Sequence, residues 1–220
     1  MKITAISPQK KNTSRFNLEI DGRFFCGVGA TTIATYYLHP NKEVTDGLVH
    51  EILACEVYNR FYDKAITYVT GNYKTEKDVR TYLKKLYFKK KDEWLSEGVD
   101  FDIEASIDSV LKRLVELGMV NDLEYAKLFI SSRLRTKPRS KRVIASELRS
   151  KGISQTVVDQ LIDSVNDDDA LYKLYIKKYG ERTFDIQDDP KVVGFLARKG
   201  FSWDEISKLE RRLKDDFGKP

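Results

Sequence analysis

The sequence predicts a mainly α-helical protein: tandem three-helix repeats in an elongated curved array, preceded by a small N-terminal β-hairpin and strand region. Three observations carry this expectation. From Thr45 onward, apolar residues recur every three or four positions, the spacing of one helix face. A seven-residue pattern, Leu148-Arg149-Ser150-Lys151-Gly152-Ile153-Ser154, returns 48 residues later as Leu196-Ala197-Arg198-Lys199-Gly200-Phe201-Ser202. Near the start, Asp21-Gly22 sits between two strand-like runs, the dipeptide that a tight hairpin turn needs at its two positive-φ positions.

The hairpin strands are Arg15 to Ile20 and Arg23 to Val28, with Lys2 to Ile6 as a third strand. A short helix over Thr31 to Leu38 stops at His39-Pro40-Asn41. The next helix carries Leu48, Ile52, Cys55, Tyr58, Phe61, Ala65 and Val69 and closes at Gly71. Thr75 and Asp78 then have the spacing of a capping box, opening a helix with Val79, Tyr82, Leu83 and Leu86. An inserted stretch, Phe88 to Asp102, separates it from a helix through Ile107 and Leu114 that stops at Gly118. Asn121-Asp122 restarts a helix that ends before Pro138, because the residue before proline disfavours the α region.

In the repeated pattern each copy has one meaning. A helix ends, glycine takes the left-handed position, an apolar residue packs beneath it, and serine caps the next helix. Ser202 and Glu205 complete a capping box, and Val158, Leu161 and Val165 match Ile206, Leu209 and Leu213 at the same offset. The expected organisation is therefore an N-terminal strand region (1–44) and three three-helix repeats (45–119, 120–166 and 167–220). Each repeat buries its apolar face on a neighbour, and arrays of that kind are binding surfaces more often than catalytic ones.

Composition narrows the class. Charged residues make up 33% of 220, above the roughly 25% of an average globular chain. No run approaches the ~20 apolar residues of a membrane helix, and the first residues lack the apolar core of a secretory signal. A cytoplasmic, non-membrane protein is expected. Residues 1–150 hold 26 Lys and Arg against 20 Asp and Glu, and residues 151–220 hold 13 against 14. The basic excess lies in the first two-thirds and points to an anionic partner.

Reaction chemistry is thin. The two histidines, His39 and His50, form no His-Glu-x-x-His pattern. Gly27-Val28-Gly29 lacks the third glycine of a dinucleotide loop and the lysine of a phosphate loop. Cys26 and Cys55 read as small buried apolar groups, and Asp167-Asp168-Asp169 as acids at a helix start. We expect no enzyme activity, no cofactor and no metal.

Two clusters remain. Arg133, Arg135, Lys137, Arg139, Lys141 and Arg142 place six cations in ten residues with no acid. The helix dipole favours the first two at a helix end, but not Lys141 and Arg142 at the next helix start. Lys84, Lys85, Lys89, Lys90 and Lys91, with Arg80, lie among Tyr82, Tyr87 and Phe88. Aromatics among cations suit single-stranded nucleic acid, although Leu83, Leu86 and Tyr87 also fit a core stripe. Both clusters are candidate partner or nucleic-acid contacts.

Gly118-Met119-Val120-Asn121-Asp122-Leu123-Glu124-Tyr125-Ala126 resembles the signature of the RecX family of recombination regulators. Glu147 to Ile153 resembles its second signature. Ile3 to Lys11 and Asp21-Gly22-Arg23-Phe24 resemble the N-terminal extension of its low-GC Gram-positive members. The resemblance implies tandem three-helix repeats and a regulator of the recombinase RecA. It implies binding in the groove of the RecA–DNA filament, with single- and double-stranded DNA as weaker, salt-dependent partners. It also implies that extension, ATP hydrolysis and strand exchange are hindered, and that the protein acts as a monomer. The third repeat departs from a DNA-facing pattern by an acidic inserted loop, Asp185, Asp188 and Asp189. Two other classes fit three-helix units: a helix-turn-helix nucleic-acid-binding protein and a protein-binding helical scaffold.

Overall fold

The computed structural model describes residues 1–10, 13–95 and 101–218. The chain folds as two compact units, Met1–Val120 and Asn121–Pro220.

In the first unit, β1 (Ile3–Pro8), β2 (Arg15–Ile20) and β3 (Arg23–Gly29) form an antiparallel sheet in that order. Asp21 and Gly22 have φ of 50° and 77°, the two positive values the turn demands. Ile3, Leu18, Cys26 and Val28 form the inner face, each at most 1% exposed. Helices α1 (Ala30–Thr35), α2 (Asp46–Thr70), α3 (Glu76–Trp94) and α4 (Glu104–Glu116) follow. The long α2 packs on α3, α4 and β3, burying Ile52, Val57, Phe61 and Ala65. Thr75 and Asp78 make the expected capping box.

An ion group joins α2 to the outer strand β3, whose unpaired backbone groups need partners. Glu56, 2% exposed, accepts from the Arg15 guanidinium at 2.5 Å and from the Gly29 N–H at 2.8 Å. Arg15 and Arg60 each donate to the Gly27 carbonyl at 2.9 Å. Burial, with the nearby Arg15 charge, pulls the Arg60 pKa down to about 10. The Arg60 guanidinium lies 5.0 Å over the Trp94 ring.

The inserted stretch is shorter than the sequence pattern suggests. Helix α3 continues to Trp94, because Tyr87 and Trp94, one heptad apart, both pack edge-on to Phe61, at 6.4 and 6.2 Å. Lys89, Lys90 and Lys91 therefore stand on a helix. Residues 96–100 of that stretch lie outside the described residues.

Among the described residues the second unit holds six helices: α5 (Asp122–Thr136), α6 (Lys141–Ser150), α7 (Gln155–Ile162), α8 (Asp167–Tyr179), α9 (Pro190–Arg198) and α10 (Trp203–Phe217). The first three enclose Ala126, Ile130, Ile144, Leu148 and Val158. The last three enclose Leu171, Tyr175, Leu196, Ile206 and Leu213. Helix α7 stops at Ile162 rather than running to Val165. The Ser164 and Val165 amides bond three residues back, which tightens the chain into a turn, and Val165 still packs into the core.

One joint recurs after α4, α6 and α9. Gly118, Gly152 and Gly200 have φ of 67°, 89° and 99°. The next amide reaches back to a carbonyl five residues earlier: Met119 to Leu114 at 2.9 Å, Ile153 to Leu148 at 3.2 Å, Phe201 to Leu196 at 3.4 Å. This is the Schellman ending, and Asn121, Ser154 and Ser202 then cap the following helices.

The buried ion group and the glycine joints can each be tested by substitution. Glu56→Ala leaves two guanidiniums without their buried counter-charge and is expected to destabilise the first unit by about 3–5 kcal/mol. Urea unfolding read from Trp94 fluorescence in a Trp203→Phe background measures it. A change below 1 kcal/mol (roughly the worth of a surface pair) contradicts it. A Cβ at Gly200 would press into Val143 Cγ2 and Ser140 Oγ, whereas one at Gly118 meets open space. Gly200→Ala therefore costs more than the about 1–2 kcal/mol of left-handed backbone alone, and Gly118→Ala costs only that. Equal losses in the two variants contradict the packing account.

Candidate nucleic-acid and partner interface

The ten-residue basic cluster spans the end of α5, a loop with Pro138 buried, and the start of α6. The fold divides its cations. Glu147 on α6 holds two of them: Arg133 Nε at 2.8 Å and Arg139 Nε at 3.5 Å. The Arg133 guanidinium also lies 4.9 Å over the Phe129 ring. Arg135, Lys137, Lys141 and Arg142 are exposed, and no ion pair holds them among the described residues.

The misplacement of Lys141 and Arg142 at a helix start is offset from elsewhere in the fold. Ser140 occupies the cap position of α6, but its side chain makes no capping bond. Asp167, from the start of α8, accepts the Lys141 N–H at 2.6 Å and brings the negative charge that this helix start favours. Burial and the adjacent Glu205 carboxylate hold the Asp167 carboxyl above its ordinary 3.8, against the pull of the Lys141 N–H. Of the triple-aspartate run, Asp167 thus caps α6, and all three acids lie in the first turn of α8.

On α3 the lysines divide in the same way. Lys84 pairs with Glu104 at 2.7 Å and Lys90 with Glu93 at 2.6 Å, and Arg80 is held by Glu104 and Asp108. Lys85, Lys89 and Lys91 are exposed without an ion pair among the described residues. Tyr82 stacks on Tyr68 at 4.2 Å and Tyr87 is 5% exposed, so both are structural. Phe88, at 69% exposed, is the aromatic of this run that a partner can reach.

Two acids of the acidic loop, Asp185 and Asp189, are engaged within the fold. Asp185 accepts from the Gln187 N–H at 2.8 Å, which holds its pKa below the ordinary value, and pairs with Lys214 at 3.4 Å. Asp189 accepts the Asp185 N–H at 3.2 Å. Sequence reasoning passed over Lys178 and Lys199; the fold brings Lys199 near Lys137, Arg139 and Lys178, and the only signal was a pair of basic residues at the end of each parent helix.

In the first unit an open groove of about 480 Å³ gathers Tyr36, His50, Glu51, Cys55, Tyr58 and Phe101. The Cys55 sulfur faces Thr32 Oγ1 at 3.7 Å and Asn59 Nδ2 at 3.5 Å, and His50 packs against Phe101, so the two do not form a nucleophile–base pair. Among the described residues no three His, Cys, Asp or Glu side chains gather as metal ligands, and no helix is long and apolar enough to cross a membrane.

Glycine-jointed three-helix domains following a strand-led unit, with cations on their exposed faces, define a tandem three-helix-repeat protein. Known proteins of the same plan identify it further. Residues 1–45 match the model of the regulatory protein RecX N-terminal domain, 121–162 the second RecX three-helix domain, and 166–209 the third. Regulatory protein RecX of Listeria monocytogenes serotype 4a is 29% identical, covering 94% of this chain and 74% of that protein. Its Clostridium beijerinckii counterpart is 28% identical over 98% and 99%. A crystal structure of regulatory protein RecX aligns with a TM-score of 0.63 at 23% identity, over 97% and 98% of the two chains. One of RecX from Lactobacillus salivarius gives 0.56 at 20%, over 73% and 98%. The chain belongs to the RecX family of regulatory proteins.

The Asp167 contact sets a pH dependence. The folded chain binds this proton more tightly than the unfolded chain, so the group's stabilising contribution is complete below 3.8 and is lost as pH rises through the raised value. Asp167→Asn keeps an oxygen to accept the Lys141 N–H and removes the charge beside Glu205. Its stability relative to wild type is expected to increase from pH 4 to pH 7. Urea unfolding across that range checks it, and parallel curves for the two proteins contradict it.

Proposed function

We propose that this chain is a cytoplasmic, monomeric, non-enzymatic regulator of RecA. It binds the RecA–DNA filament along its helical groove and hinders extension, ATP hydrolysis and strand exchange. The observation that carries the reading is the ordered match of three RecX domains along the chain. The exposed cations support it. Arg135, Lys137, Lys141 and Arg142 on one unit, and Lys85, Lys89 and Lys91 on the other, have the charge and freedom that binding to phosphates requires. Arg133 and Arg139 orient the loop through Glu147, and Lys84 and Lys90 are paired in the free chain.

The deciding experiment is ATP hydrolysis by RecA on single-stranded DNA with this protein titrated in. The expected result is inhibition well below one molecule per RecA protomer. Inhibition only when the protein coats the strand indicates a general nucleic-acid-binding protein instead. Arg135→Gln, Lys141→Gln and Arg142→Gln combined leave the Glu147 pairs intact. At physiological salt the triple variant is expected to need about tenfold more protein for the same inhibition, since fewer neutralised phosphates mean weaker binding and a flatter salt dependence. Unchanged inhibition removes these residues from the interface.

A further inference from the structure

Three helix ends meet in the second unit. Lys177 Nζ donates to the Thr136 carbonyl at 3.0 Å, joining the end of α8 to the end of α5. The Ser140 N–H donates to the Lys199 carbonyl at 3.2 Å, joining the α5–α6 loop to the end of α9. Each of these ends carries cations: Lys137 closes α5, Lys178 lies in the last turn of α8, and Arg198 and Lys199 close α9.

Helix ends attract cations without any ligand, but too weakly to explain this cluster. Each C-terminus presents about half a negative charge, so three ends balance well under half of these four cations. No ion pair holds any of the four among the described residues. Arg139, the fourth cation facing Lys199, is already paired with Glu147. The crowding is visible in Lys199, whose pKa is lowered by partial burial and then by Arg139, Lys178, Arg198 and Lys137. A cluster that disfavours its own charge is poised for an anion.

The aromatic rings here indicate which part of a nucleic acid fits. Lys178 Nζ stands 3.4 Å from the Phe195 ring centroid and Lys199 Nζ 5.3 Å from the same ring. Lys178 and the Arg182 guanidinium each lie 5.2 Å from the Tyr179 centroid. The protein's own cations already lie against these rings and compete with any base for them. The rings hold the ammonium groups in place while leaving N–H donors free.

We infer that Lys137, Lys178, Arg198 and Lys199 form a binding site for the phosphodiester backbone of DNA, indifferent to base identity. The third three-helix domain thereby acts as a DNA contact despite its balanced net charge. This rests on reading the chain as a regulator of a DNA filament, but its measurement needs no filament.

The test is binding of the full chain to a fluorescent 30-base-pair duplex and to dA and dT 30-mers at 50, 100 and 200 mM KCl. The variant combines Lys137→Gln, Lys178→Gln, Arg198→Gln and Lys199→Gln. At 100 mM its Kd on the duplex is expected to rise at least about tenfold. The slope of log K against log salt is expected to become shallower by up to about 3.6, at near 0.9 for each of four phosphates no longer neutralised. Wild-type affinities for dA and dT should agree within a few-fold. A Kd within twofold of wild type, with a slope changed by less than about one, overturns the site, and a strong preference between dA and dT overturns the backbone assignment.

A second measurement uses the unmodified chain. Brief acetylation with and without DNA, read by mass spectrometry, should show Lys178 and Lys199 protected, while Lys191, at the far end of α9, labels equally in both. Equal labelling of all three overturns the site even if the variant misfolds. Loss of DNA binding in the variant, with no effect of wild type on RecA, would leave this site standing and remove the RecA reading; the opposite pair of results would do the reverse.

Discussion

The architecture depends on a backbone constraint met three times. After α4, α6 and α9 the chain must reverse within a few residues while leaving few carbonyls and amides without partners. Glycine at φ of 67°, 89° and 99° permits the reversal, the following amide returns to a carbonyl five residues back, and Asn121, Ser154 or Ser202 accepts the N–H of the third residue of the next helix. The apolar residue after Gly152 or Gly200 then has to point inward, as Ile153 and Phe201 do, each 3% exposed.

At Gly200 the joint does more than turn the chain. Its Cα lies against Ser140 and Val143, and the preceding carbonyl of Lys199 accepts the Ser140 N–H, so the end of α9 is seated on the start of α6. That seating brings Lys199 beside Lys137 and Arg139. Asp167 acts at the same place from the other side, supplying α6 with the N-terminal acceptor that Ser140 does not. In the first unit the comparable tie is ionic: Glu56 on α2 satisfies both Arg15 and the end of β3, anchoring a sheet whose strands would be weak alone.

Much of the fold was legible in the sequence because its signals are local. Asp21-Gly22, the capping boxes at Thr75 and Ser202, the glycine joints and the stop before Pro138 each act within a few residues, and each occurs where the spacing placed it. One misjudged boundary was set by distant partners and another by a local turn. Helix α3 runs on through Lys89 to Lys91 because Phe61 receives Tyr87 and Trp94. Helix α7 stops early although Val165 keeps its buried place.

The candidate site was legible only as a density of charge. By itself the sequence determined the joints, the hairpin, the helical repeat and the family signature, since backbone preference and capping act on neighbours along the chain. Which cations remain free was decided by the tertiary structure. Glu147 withdraws Arg133 and Arg139, Glu104 withdraws Lys84, and Lys137, Lys178, Arg198 and Lys199, scattered over sixty residues, meet where three helices end. Charges interact through space, with a reach of about 8 Å at physiological salt, so their order along the chain does not reveal which of them share a surface.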